Sequence, residues 1–165
     1  MKEVRLPYCK VRPSAGWHFL RTFSRLSSTG NGATLALTRR MTMQASDLVR
    51  TVIGASIEVH RWVGPGLLES AYRACLQKEL RVQGVPFECE VRLPVIYKGE
   101  PVECHYRIDF WFGNELVLEL KSVENLLPVH SAQLLTYLKL TGAKQGLLIN
   151  FNVPVLRSGI KSLML

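Results

Sequence analysis

The chain has 165 residues, 47% of them apolar, which suits one domain with one core. No window approaches the roughly 18 to 20 uninterrupted apolar residues needed to cross a bilayer, so no membrane span is expected. The net charge is +8, but residues 1–46 carry eight Lys or Arg against one acid, while residues 47–165 carry thirteen against twelve. The basicity therefore belongs to the N-terminal stretch. A basic patch for nucleic acid on the remainder would have to be local.

Residues 1–45 place Arg5, Lys10, Arg12, Arg21, Arg25, Arg39 and Arg40 among many Ser, Thr and Gly. They contain no continuous apolar run of the kind a secretory signal requires. Three readings fit. The first is upstream sequence from a start codon set too early, favoured because Met41 and Met43 sit just before the first helix. The others are a disordered basic arm and an organelle transit segment. The stretch is expected to pack little against a folded domain spanning 46–165. Cys9, Cys75, Cys89 and Cys104 are scattered with no CxxC pair, which argues against a metal–thiolate site. They read as reduced thiols of a cytoplasmic protein.

Order is expected from Ser46 or Asp47, either of which would make a good N-cap. Leu48, Val49, Val52, Ile53, Ile57 and Val59 to Val63 recur at helical spacing. Gly64-Pro65-Gly66 breaks that helix. A second helix is predicted from Leu67 to about Gln83, with Leu68, Ala71, Tyr72, Cys75, Leu76 and Leu80 as its apolar stripe and Gly84 as its stop. Strand-like runs follow at Val85 to Leu93, Pro94 to Tyr97, Val102 to Phe112 and Glu115 to Ser122, with turns at Lys98-Gly99 and Gly113-Asn114. A third helix is predicted from Val129 to Leu140, ending at Thr141-Gly142. Gln145 to Asn150 then reads as a buried strand, and Val153 to Leu165 as a short helical turn with a final strand. The fold class is α/β, a sheet with helices on its faces.

One hairpin carries the chemistry. Strict alternation puts Ile108, Phe110 and Phe112 on one face and Arg107, Asp109 and Trp111 on the other. On the next strand Leu116, Leu118 and Leu120 oppose Val117, Glu119 and Lys121. A three-residue loop, Gly113-Asn114-Glu115, would pair Phe112 with Leu116 and set Asp109 directly opposite Glu119. Two adjacent carboxylates repel unless a cation holds them. Mg²⁺ takes oxygen ligands, typically one or two carboxylates with water and substrate phosphate. The Leu120 carbonyl is a candidate third ligand. Lys121 could orient or deprotonate the attacking water, or offset charge in the transition state. The plain alternative is a solvated polar face on an edge hairpin. Burial of both sheet faces weighs against it, because charges are seldom buried without a pair or a metal.

Two weaker features lie nearby. Glu69 and Tyr72 share a face at the start of the second helix, where Glu69 could simply be a first-turn acid favoured by the helix dipole. Gln133 and Tyr137 stand one turn apart on the third helix, which could be a surface hydrogen-bonding pair. His60 and His130 read either as core histidines or as contacts to substrate phosphate. Trp111 reads mainly as packing.

Taken together, the sequence resembles the GxxExxY proteins, a branch of the PD-(D/E)XK nuclease superfamily, from about Leu48 to Ile160. The resemblance rests on Val59-His60, on Gly64-Pro65-Gly66-Leu67-Leu68-Glu69-Ser70-Ala71-Tyr72, on Tyr106-Arg107-Ile108-Asp109, on Glu119-Leu120-Lys121, on His130 and on Gln133 to Tyr137. It continues through Thr141-Gly142 and Gly146 to Phe151. It implies a restriction-endonuclease-like αβββαβ core, a mixed central sheet flanked by helices, with the active site on the central hairpin. Asp109 and Glu119 would be metal ligands and Lys121 the catalytic lysine. Glu69 would be a helix-borne acid near the metal, and Gln133 to Tyr137 would match a motif of recombination-type exonucleases. Ile108 stands where the superfamily's name has Pro, at a lax position. The expected activity is Mg²⁺- or Mn²⁺-dependent hydrolysis of DNA or RNA phosphodiesters. The rivals are an inactive nuclease-fold module that binds nucleic acid or a protein, and cleavage of a small phosphate-containing molecule.

Overall fold

A computed structural model describes residues 44–165. The expectations for residues 1–43 lie outside the described residues. Helix α1 spans Ala45–Val63 and buries Leu48, Val52, Ala55 and Val59, one residue per turn on a single face. Its N-cap is Gln44, without a side-chain cap, instead of Ser46 or Asp47. Asp47 falls in the first turn, where the helix dipole still favours an acid. The helix ends at Gly64, whose φ of +66° suits glycine.

Helix α2 spans Glu69–Val82, starting two residues later than the apolar pattern suggests. Leu67 and Leu68 stay outside it, on the loop after Gly66. Tyr72, Leu76 and Leu80 face the core at four-residue spacing. Gly84, at φ +68°, turns the chain, and the Val85 N–H closes back onto Leu80 O at 3.0 Å.

Among the described residues five strands form one sheet in sequential order: β1 (Glu88–Tyr97), β2 (Glu100–Trp111), β3 (Leu116–Lys121), β4 (Gln145–Asn150) and β5 (Ile160–Met164). The two runs expected either side of Pro94 are one strand, β1, which takes a register irregularity between Pro94 and Ile96. β1–β2, β2–β3 and β4–β5 are antiparallel. β3 and β4 are parallel, so a crossover is required, and helix α3 (Pro128–Thr141) supplies it. A 3₁₀ turn at Leu156–Gly159 precedes β5. Gly159 is obligatory there, because a Cβ would sit 2.2 Å from the Asn150 carbonyl oxygen. This is the expected αβββαβ succession with one helix more at its front and one strand more at its end.

The sheet divides the interior into two apolar clusters. One joins α1 and α2 to Phe110, Phe112, Leu116, Leu118, Leu120, Leu147 and Ile149. The other joins α3 to Ile108, Val117 and Leu148. This corrects the strict alternation expected along β2. Ile108 belongs to the α3 cluster, while Phe110 and Phe112 belong to the α1–α2 cluster. The phase therefore changes at Asp109. On the neighbouring strand Cys89 and Val91 are likewise divided between the two clusters. Between them Glu90 adopts φ +52°, a left-handed backbone that a non-glycine residue rarely takes. The two irregularities share one register position. Trp111 packs against the α3 cluster, consistent with its packing reading.

Candidate active site

The β2–β3 ladder pairs Trp111 with Val117 and Phe110 with Leu118, and the Phe112 N–H donates to Leu116 O at 2.9 Å. That is the register a three-residue turn predicts. Beyond Phe110 the backbone pairing gives way to a side chain. The Leu120 N–H donates to Asp109 Oδ2 at 2.9 Å. The carboxylate thus takes up an amide that a regular ladder would satisfy with a carbonyl.

A cleft of about 320 Å³ opens at this point, lined by Glu69 from α2, His105 to Arg107 and Asp109 from β2, Glu119 and Lys121 from β3, and Gln133 and Tyr137 from α3. Six residues singled out in the sequence therefore meet in one cavity: Glu69, Asp109, Glu119, Lys121, Gln133 and Tyr137. Asp109 and Glu119 are each only 3% exposed. Lys121 Nζ donates to Glu119 Oε1. Glu119 Oε2 is buried with no hydrogen-bond partner. Burial, then the negative charge of Asp109, push the Glu119 carboxyl up from 4.5 to about 7, with Glu69 adding a little and Lys121 opposing. A buried oxygen with a free lone pair, beside a second carboxylate, is an acceptor that a cation could satisfy.

On the opposite wall, Gln133 Nε2 donates to the Tyr137 hydroxyl at 2.7 Å, and that hydroxyl donates to Arg107 O at 3.1 Å. Burial raises the Tyr137 phenol to about 12, with the Glu119 and Asp109 charges adding to it against the Gln133 hydrogen bond. It therefore stays protonated at neutral pH and ties α3 to the β2 backbone.

The other sequence candidates do not line the cleft. The Tyr72 hydroxyl donates to Gly64 O at 2.7 Å and accepts the Leu67 N–H at 3.1 Å, so it pins the loop that leads into Glu69. Ser122 Oγ, one residue past Lys121, holds the same loop through Leu67 O at 2.6 Å. His60 bonds Val153 O at 2.8 Å through Nε2, and it lines a different cavity, with Ile57, Arg61 and residues 154–157. His130 accepts the Leu127 N–H at 3.1 Å through Nδ1, at the start of α3. Leu120 buries its side chain in the α1–α2 cluster.

Two residues beside the site were given no role there by the sequence reading. Asn150, at the end of β4, takes the Val123 N–H at 3.0 Å and gives its own amide to Val123 O at 2.8 Å, fixing the chain just after Lys121. Arg73 is 8% exposed and reaches Asp109 Oδ1 at 3.0 Å, Glu90 Oε1 at 3.1 Å and Glu69 Oε1 at 3.5 Å. Its four-residue spacing from Glu69 was the one available signal, and it spoke only to that pair.

The sequence pattern of the PD-(D/E)XK nuclease superfamily matches residues 46–163. The chain belongs to that superfamily, and its mixed five-stranded sheet with flanking helices agrees with such a fold. No curated protein matches the sequence. One similar solved structure is described as "Crystal structure of SSO0001", at 23% identity and a TM-score of 0.40, covering 70% of this chain and 59% of that one. The chain thus spans 59% of the length of that protein. No helix among the described residues is long and apolar enough to cross a membrane.

Proposed function

We propose that the chain is a Mg²⁺- or Mn²⁺-dependent nuclease of the GxxExxY branch, hydrolysing phosphodiester bonds of DNA or RNA. The observation that carries this reading is the buried, unpartnered Glu119 Oε2 in a cleft that also holds Asp109 and Lys121. The donor set suits a hard cation. Asp109 and Glu119 would hold it, with the Leu120 carbonyl and water as further oxygen ligands. Among the described residues no three His, Cys, Asp or Glu side chains cluster tightly enough to hold an ion unaided, so backbone and water ligands are part of the proposal. When bound, the ion would lower the pKa of a water and polarise the phosphoryl group.

The side chains divide the remaining work. Lys121 is a cation and cannot be a ligand. Its ammonium would orient the attacking water or meet the negative charge that develops on the phosphoryl oxygens. Glu69, at the first turn of α2, would accept a hydrogen bond from a water in the cleft. Gln133 and Tyr137 would form the wall against which the phosphodiester is seated.

The test is single-turnover cleavage of single- and double-stranded DNA and RNA oligonucleotides with Mn²⁺, paired with a Mn²⁺ titration, on wild type and Asp109→Ala. Wild type should bind and cleave, and Asp109→Ala should do neither. Cleavage that survives Asp109→Ala would overturn the assignment.

A further inference from the structure

Arg73 does something the proposed reaction does not require. Its side chain rises from α2 between three carboxylates and is nearly buried, so its charge is held in a place where charges interact strongly. The contact to Asp109 uses Nε at 3.0 Å, and the second guanidinium face goes to Glu90 at 3.1 Å. Glu90 reaches Arg73 from a left-handed backbone position, φ +52°, opposite Asp109 in the sheet register. Arg107 closes on Glu90 from the other side at 3.5 Å. Local strain is thus retained at the residue that holds the guanidinium in place.

The charge count follows. Glu69, Glu90, Asp109 and Glu119 face Arg73, Arg107 and Lys121, so the cluster carries at most one net negative charge. A doubly charged cation entering it meets little net attraction. A phosphodiester brings the missing negative charge with it.

We infer that Arg73 is a resident counter-cation for Asp109, a positioning residue that keeps divalent-cation affinity low until an anionic substrate is present. The inference rests on the proposed metal-dependent reading of the cleft. Arg73 fixes the Asp109 carboxylate through one oxygen while Leu120 N–H fixes the other, so the ligand is oriented before any ion arrives. The same contact withholds part of its charge. Cation and phosphodiester then favour each other's binding by the same factor, as linkage demands.

The experiment is a Mn²⁺ titration of wild type, Arg73→Met and Arg73→Lys, with near-ultraviolet circular dichroism to confirm folding. Arg73→Met should bind Mn²⁺ about tenfold more tightly than wild type, and Arg73→Lys, which keeps the charge, should stay near wild type. A brace of purely structural value predicts the opposite, weaker binding in both. A second measurement needs no variant. The anisotropy of a labelled phosphorothioate oligonucleotide on wild type should report about tenfold tighter binding with Mn²⁺. A methylphosphonate oligonucleotide, which lacks the phosphate charge, should show no such gain. Wild-type Mn²⁺ binding that Arg73→Met leaves unchanged or weakens, or an equal gain with both oligonucleotides, overturns this inference alone. An absence of Mn²⁺ binding in every protein, with and without oligonucleotide, overturns the metal-dependent reading together with it.

Discussion

Near its turn the β2–β3 hairpin is ordinary core: Phe110, Phe112, Leu116 and Leu118 are buried, paired in register and packed under α1 and α2. A few residues along, the same two strands hold Asp109, Glu119 and Lys121, and a carboxylate replaces a ladder partner. The first half gains stability from apolar burial. The second half opposes it, since buried charges cost free energy even when paired. One supersecondary unit therefore anchors a site and bears its cost, and the rigid half holds the charged half in place.

Four predictions would break or sharpen that contrast. The largest effect belongs to the apolar half. Phe110→Ala, at a fully buried position, should cost about 3 to 5 kcal/mol in urea denaturation. A loss below about 1 kcal/mol would show that this half does not anchor the hairpin.

In the charged half, Lys121→Ala should lower single-turnover cleavage by roughly 10² to 10³, about 2.7 to 4 kcal/mol. Mn²⁺ affinity should hold or rise, because a neighbouring positive charge has gone. Equal rates in wild type and variant would remove Lys121 from the catalytic set.

The third concerns pH. The fold raises the Glu119 carboxyl from 4.5 to about 7, so the folded state favours its protonated form. Its stabilising contribution is complete below pH 4.5 and is lost as pH rises through about 7. The full shift corresponds to about 3 kcal/mol. Metal-free protein should therefore lose stability between those values, and Glu119→Gln should flatten that loss in urea midpoints measured from pH 5 to 8. A Glu119→Gln profile that still falls like wild type would locate the titration elsewhere. Mn²⁺ should restore stability to wild type at the upper end.

The smallest effect is at the seam between α3 and the sheet. Tyr137→Phe removes the hydroxyl between Gln133 Nε2 and Arg107 O, and should cost about 1 kcal/mol in the same assay. A cost above about 3 kcal/mol would mean the phenol supports far more than this bridge.

Much of this was legible in the residues. Apolar spacing placed α1, α2 and α3 to within two residues at all but one terminus, because helical period and capping depend on near neighbours. α1 nevertheless begins at Ala45, ahead of both caps the sequence suggested, since a helix end can extend by a turn fragment without a side-chain cap. The β2–β3 register was also readable. A three-residue turn fixes which residues pair, and it did so through Phe110 and Leu118. Glu69, Gln133 and Tyr137 could be set beside Asp109, Glu119 and Lys121 only through the family resemblance, and the cleft does bring them together.

What periodicity could not supply was everything that depends on how elements cross. Arg73 lies 36 residues from Asp109, and nothing local says that α2 will lean its guanidinium onto β2. Strict alternation misassigned Ile108, because it takes a strand to be regular, while Glu90 and Asp109 break phase together across two strands. His60 and His130 kept plain and functional readings open in the sequence, and their bonding partners, like those of the Tyr72 hydroxyl, are backbone groups that came only with the fold. The chain by itself determined its helices, its strands, one register and the residue types that line the cleft. Tertiary structure decided which charges meet, because an ion pair depends on distances that sequence neighbours do not set.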